Sequence, residues 1–245
     1  GSSVTYDDTV PTLTSVGIVS NNATTTIAKI GDVVTLSFTA NETIGTPTVT
    51  FQSGGAAITN SVTYANPSDN NWTAAYTTHD SDTDGSVTFS IAFSDSSGNP
   101  GVAVTAVTNG SSVTYDDTVP TLTSVGIASN NATTTLAAAG DIVTLTLTAS
   151  ETIGTPTVTF QSGGDAINDG TIDYVNTGGS TWTAKYTANS SDTDGAVTFS
   201  IAFSDTVGNA GTAVTAVTDG SSVTFDDSVP TLTSVGIASN NATTT

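Results

Sequence analysis

Cysteine and methionine are both absent from the 245 residues, which removes disulfides, thiol nucleophiles and sulfur ligation of metals. Arginine is absent too, and two lysines face 22 acidic residues for a formal net charge of −20. Counterion release on a phosphate backbone needs cationic side chains, so nucleic acid is excluded as a partner. Binding to an anionic membrane surface is not expected, for the same reason. A single histidine, His79, leaves zinc or copper without a donor set. No apolar run approaches the length of a membrane span, so direct membrane insertion is not expected of this stretch. No charged-then-apolar leader opens it, and any such signal would lie outside it.

Repetition is what the chain has instead. GSSVTYDDTVPTLTSVGI begins at Gly1, returns almost unchanged at Gly110, and returns again at Gly220 as GSSVTFDDSVPTLTSVGI. The period of about 110 residues is a whole domain and suits a β-sandwich. The expected division is 1–8 as the last-strand tail of a preceding repeat, 9–117 as repeat 1, 118–227 as repeat 2, and 228–245 as the first strand of a third. Such a chain reads as a window on a longer string of domains, an arrangement that reaches, holds or assembles.

Thr, Val, Ser and Gly dominate, and the apolar residues alternate with period two. Val34, Leu36, Phe38 and Ala40 share one face of 33–40, and Val87, Phe89, Ile91 and Phe93 share one face of 86–94. Trp72, Ala74 and Tyr76 do the same between them, which makes the tryptophans core residues rather than sugar-stacking platforms. One apolar and one Thr/Ser face is the pattern of an antiparallel sheet packed on a second sheet. Strands are expected at 12–19, 24–28, 32–40, 46–52, 57–65, 71–78 and 86–94, followed by 101–107 running into 112–115, with the first two forming one interrupted strand. Gly and Asn pairs such as Gly54-Gly55 and Asn21-Asn22 punctuate them. The fold class is therefore all-β: tandem Ig-like antiparallel sandwiches of about seven strands each.

The Asp-Asp-Thr-Val-Pro joint, the AxxGDxVTLxFTAxE stretch from Ala28 and the FSDxxGN loop from Phe93 resemble a known family. They are similar to the bacterial Ig-like tandem repeats of giant surface adhesins, including calcium-dependent biofilm and ice-adhesion proteins. The resemblance spans both complete repeats. It implies an extracellular, cell-surface location, an extender role and structural calcium.

The acids recur in register: Asp7, Asp8, Asp32, Glu42, Asp82, Asp84 and Asp95 have counterparts at Asp116, Asp117, Asp141, Glu151, Asp192, Asp194 and Asp205, and Asp226 and Asp227 repeat the joint again. In an Ig-type sandwich the entering chain and the loops after 32–40 and 86–94 share one end. Glu151, Asp205, Asp116 and Asp117 are thus expected together, with Asp82 and Asp84 reaching the same junction from the opposite end of repeat 1. Crowded carboxylates raise each other's pKa, and Ca²⁺ resolves the conflict with six to eight oxygen ligands in flexible geometry. Magnesium fits less well because it demands tight octahedral geometry. Calcium is therefore expected at each joint, with Asp7, Asp8, Glu42, Asp82, Asp84, Asp95, Asp116, Asp117, Glu151, Asp192, Asp194, Asp205, Asp226 and Asp227 as candidate ligands. The competing reading is that Asp at strand ends caps turns, which is the reading for Asp32 and Asp141 after their glycines.

SDTDG at 81–85 and NDGTID at 168–173 lack the helices and terminal glutamate of a helix-loop-helix calcium site. N-x-Ser/Thr patterns such as those at Asn22, Asn41 and Asn71 are short enough to arise freely in a Thr-rich chain. His79 is replaced by Asn189 in the second copy, so no histidine mechanism is common to the repeats, and no enzyme activity is expected. The leading reading is an extender whose partners are its neighbouring repeats. Two alternatives stand beside it: the subunit of an extracellular filament or surface layer in which identical chains exchange strands, and a glycan- or protein-binding module working through 56–70 and 165–181.

Overall fold

In the computed structural model the described residues are 6–168 and 170–240. The outer ends of the expected tail and third-repeat segments, and Asp169 of NDGTID, lie outside them. By contact the chain divides into one unit of Gly1–Pro120 with Ser204–Gly211 and another of Thr121–Phe203 with Thr212–Thr245.

The first unit carries β1 (Leu13–Ser20), β2 (Ile27–Ala28), β3 (Val33–Ala40), β4 (Thr48–Ser53), β5 (Ala56–Ala57), β6 (Thr63–Ser68), β7 (Asn71–Thr77), β8 (Gly85–Ala92) and β9 (Thr114–Tyr115). They form two sheets, ordered β1-β3-β7-β6 and β2-β9-β8-β4-β5. This is the strand order of an Ig-type sandwich. The alternation read from the sequence explains the packing. Val34, Leu36, Phe38 and Ala40 of β3 face Val87, Phe89 and Ile91 of β8 within one buried cluster. Each valine, leucine, isoleucine or phenylalanine among them contributes roughly 1.5–3 kcal/mol when fully withdrawn from water. Phe51 of β4 and Tyr76 of β7 pack against each other between the two sheets, with ring centroids 4.9 Å apart and planes tilted by 45°.

Three elements differ from the alternation. The segment 57–65 is not one strand, because β5 and β6 belong to opposite sheets; its apolar residues Ile58 and Val62 pack on the core from the crossing. The stretches 12–19 and 24–28 are likewise not one interrupted strand: β1 pairs antiparallel with β3, and β2 pairs parallel with β9. The chain changes sheet across the turn at Asn21-Asn22. Finally, 101–107 forms no strand and is held by the backbone pairing of Val104 with Ile91 and a hydrogen bond from Gly101 N to Phe93 O. Thr108 and Ser111 beyond it cover the edge of β1, accepting hydrogen bonds from Val16 N (2.9 Å) and Ile18 N (2.8 Å), which protects an edge strand from pairing elsewhere.

The second unit repeats the plan with β10 (Leu122–Ser129), β11 (Leu136–Ala137), β12 (Ile142–Ala149), β13 (Thr157–Ser162), β14 (Asp165–Ala166), β15 (Asp173–Gly178), β16 (Thr181–Thr187), β17 (Gly195–Ala202) and β18 (Thr224–Phe225). Its sheets are ordered β10-β12-β16-β15 and β11-β18-β17-β13-β14. Phe160 and Tyr186 form the matching ring pair at 4.8 Å. Residues 228–240 form no strand, and their Leu232, Val235 and Ile237 are exposed.

Candidate metal centre

Three segments of the first unit converge at one end of the sandwich: the chain before β1, the loop leaving β3, and the loop leaving β8. They bring Asp7, Glu42 and Asp95 together, with one carboxylate oxygen from each lying within 4.8 Å of the other two. The β8 loop is the most constrained. Asp95 is 5% exposed; its Oδ1 accepts from Ser97 N (2.9 Å) and Asn99 N (2.8 Å), and its Oδ2 accepts from Asn99 Nδ2 (2.8 Å). Burial pushes its carboxyl up, but the Asn99 amide and the N–H groups of Asn99, Gly98 and Ser97 together hold it below the usual carboxylate range. Asp95 therefore stays ionised and pinned.

The same Asn99 amide reaches the incoming chain, donating to the Asp7 carbonyl at 3.0 Å. Ser97 Oγ donates to Asp7 Oδ2 at 3.3 Å, and Asp7 Oδ1 accepts from Thr9 N at 3.0 Å. Glu42 differs: its Oε1 is buried and accepts no hydrogen bond among the described residues. A buried carboxylate oxygen without a donor, beside two other carboxylates, costs several kcal/mol unless a cation compensates it. Oxygens bound to one calcium at 2.3–2.6 Å lie no more than about 5 Å apart, so the spacing and the all-oxygen donor set both fit Ca²⁺.

The loop signal is repeated at Asp205, also 5% exposed. Its Oδ1 accepts from Val207, Gly208 and Asn209 N–H groups and its Oδ2 from Asn209 Nδ2. Asn209 Nδ2 donates to the Asp116 carbonyl at 2.9 Å, as Asn99 does to Asp7. Asp116 is pushed up first by burial and then by the charges of Asp84 and Asp205, with a hydrogen bond from Thr118 working the other way. Glu151 follows β12 in the second unit, the position of Glu42 after β3.

The other candidates lie in contacts of their own. Asp82 is buried and staples two loops, its Oδ1 accepting from Thr59 N (2.8 Å) and its Oδ2 from His79 N (2.9 Å). Asp192 does the same for Asn168 N and Asn189 N. Asp84 accepts from Asp117 N (2.9 Å) and Thr118 Oγ1 (2.7 Å), and Asp194 from Asp227 N (2.9 Å) and Ser228 Oγ (2.8 Å). Asp117 is raised by burial and by Asp84, against the lowering effect of the Tyr115 hydroxyl that it accepts at 3.1 Å. Asp226 accepts from Ser228 N at 2.9 Å, Asp227 lies 3.4 Å from Ala139 N, and Asp8 lies 3.5 Å from the Tyr6 hydroxyl. Asp32 and Asp141 accept from backbone N–H groups of their own turns. His79 Nδ1 accepts from Ser81 N at 3.1 Å, and Asn189 Oδ1 repeats that bond with Ser191 N at 2.9 Å.

Sequence reasoning did not single out Asn99 and Asn209, which hold the aspartate and the incoming chain together. The FSDxxGN motif contained them; what it did not announce is that the amide serves two segments at once.

No protein-family model matches the sequence, and no curated protein matches it. Solved structures with a similar arrangement include the I67–I69 I-band fragment of titin, at 10% identity and a TM-score of 0.46, covering 90% of this chain and 66% of that one. The titin z1z2 domains in complex with telethonin cover 92% and 100% at 16% identity and a TM-score of 0.29. The tandem Ig repeats of Dlar cover 89% and 99% at 14% identity and a TM-score of 0.27. The chain is thus similar to tandem Ig-like domains, at a level that concerns the fold alone.

Proposed function

We propose that these repeats are structural extender modules of a large bacterial cell-surface adhesin, working outside the cell, and that calcium fixes the segment entering each sandwich. The observation that carries the calcium reading is the convergence of Asp7, Glu42 and Asp95 around a buried Glu42 oxygen that accepts no hydrogen bond. The ion would join the incoming chain to two loops of the sandwich, leaving the core untouched. Asp116, Glu151 and Asp205 carry the same three side-chain types in the second repeat. Near-identity of the repeats supports spacing rather than diversified recognition, and nothing in the donor set calls for catalysis.

Thermal unfolding in millimolar calcium and again with EGTA tests this. Extracellular modules bind with Kd near 10⁻⁴–10⁻³ M, so calcium at about ten times Kd should stabilise by about 1.4 kcal/mol. The gain should disappear in Glu42→Gln combined with Glu151→Gln. Small-angle scattering under the same two conditions checks the extender role: a profile that becomes flexible on chelation supports it, and identical profiles count against joint rigidification.

A further inference from the structure

We propose that Asn109 is a site of spontaneous deamidation, and that the second repeat already carries its product. Asn109-Gly110 is the one Asn-Gly step in the sequence, and its counterpart in the second repeat is Asp219-Gly220. The two positions are built alike. Asn109 Oδ1 accepts from Ser111 N at 3.0 Å, and Asp219 Oδ1 accepts from Ser221 N at 2.9 Å. Each side chain lies over a glycine of the first strand: a Cβ on Gly17 would collide with the Asn109 amide, and one on Gly126 with the Asp219 carboxylate. A carboxylate therefore fits where the amide stands. Hydrogen bonds from the Ser221 side chain and N–H hold Asp219 below the usual carboxylate range, so the product is comfortable as an anion.

The chemistry needs only water. The Gly110 backbone nitrogen attacks Asn109 Cγ, the new C–N bond closes a five-membered imide, and Nδ2 leaves as ammonia, taking up the proton given up by the Gly110 nitrogen. Water then adds to either imide carbonyl, and the ring opens to aspartate or to isoaspartate with the main chain running through Cβ. Three features favour the first step. Residue 110 has no Cβ to obstruct the attack. The Ser111 N–H polarises the Asn109 carbonyl that accepts the negative charge. Both residues are exposed, and around Gly110, at φ +73°, even an added Cβ would meet nothing within 4 Å, so no neighbouring atom crowds the ring as it closes. The Asp84-Gly85 step shows the contrast: Gly85 is packed against Gly54 Cα.

The two products differ in consequence. Aspartate adds one negative charge and reproduces the Asp219 arrangement. Isoaspartate inserts a backbone methylene two residues before Ser111, whose Oγ accepts from Ile18 N at 2.8 Å, and so pulls the cover from the edge of β1.

The test is peptide mapping by mass spectrometry of the folded chain held in mildly alkaline buffer at physiological temperature, beside a synthetic peptide of residues 104–115. The folded chain should convert Asn109 within about tenfold of the peptide's rate, since exposed turns open at little free-energy cost, with the other asparagines intact. Conversion slower than that, or another asparagine reacting first, overturns the proposal. Asn109→Gln, which would require a six-membered imide, should stay unmodified; if it reacts as fast, the imide route is wrong. Asn109→Asp should keep the native unfolding midpoint, and a marked drop would show that the second repeat is not a picture of the product.

Discussion

Asp82 and Asp95 are both buried aspartates in loops of the same sandwich, and their surroundings give them different work. Asp82 spends its two oxygens on the N–H groups of Thr59 and His79, stapling the turn after β7 to the crossing between β5 and β6. Asp82→Ala leaves those donors unpaired and should cost about 2–3 kcal/mol, with calcium making no difference, as denaturant titration with and without EGTA would read out. Asp95 shares its pocket with Glu42 and Asp7, so its replacement should change stability and calcium response together. The sequence makes both residues look the same, an Asp at a strand end beside Ser and Gly. The distinction lies in which backbone N–H groups point at each carboxylate, and that depends on how loops far apart in sequence meet.

At the level of elements, alternation made the long strands legible. Every inward position read from β3 and β8 is buried, because period two leaves only one face to choose. Short strands were not legible in this way. β2, β5 and β9 have two residues each, too few to show a period, and they are defined by what they pair with. The β4–β5 turn is the clearest case of local chemistry fixing an element. Gly54 and Gly55 have φ of +55° and +85°, the two positive values a type I′ hairpin turn requires. Gly54 also sits against the carbonyl of Asp84 and the side chain of Thr83. Gly54→Ala therefore meets both the wrong backbone region and a collision, and should cost roughly 1–3 kcal/mol. Gly55→Ala meets only the backbone penalty and should cost less, a ranking that two melting curves would decide.

Over the whole molecule the charge of −20 is distributed unevenly. No acid of the first repeat lies within a strand; in the second, Asp165 and Asp173 do, both on short edge strands. Loops therefore carry the repulsion, and pH should act through them in two directions. Asp95, Asp141, Asp194 and Asp219 are held below their ordinary range. Their stabilisation is complete above the unfolded carboxylate pKa near 3.9 and is lost as pH falls through the lowered folded values. Asp116 and Asp117 are raised, so they destabilise when ionised, and acidification through their folded pKa relieves them. Asp117→Asn should accordingly stabilise the calcium-free protein at neutral pH by about 0.5 kcal/mol, with the gain shrinking as pH approaches 4. A pH series of melting temperatures for the native chain and this variant measures that difference.

The parallel pairing of β2 with β9 has a mechanical consequence. Along the first repeat the chain arrives through β1 and β2 and departs through β9, and β2 and β9 point the same way. Pulling on the two ends slides these segments past each other rather than peeling them apart. The bonds between Thr114 N and Thr26 O, Asp116 N and Ala28 O, Thr108 N and Val16 O, and Ile18 N and Ser111 Oγ all bridge the arriving and departing segments. Under tension they share the load in shear and must fail together, so a sandwich with no covalent cross-link can still resist being drawn out from its ends.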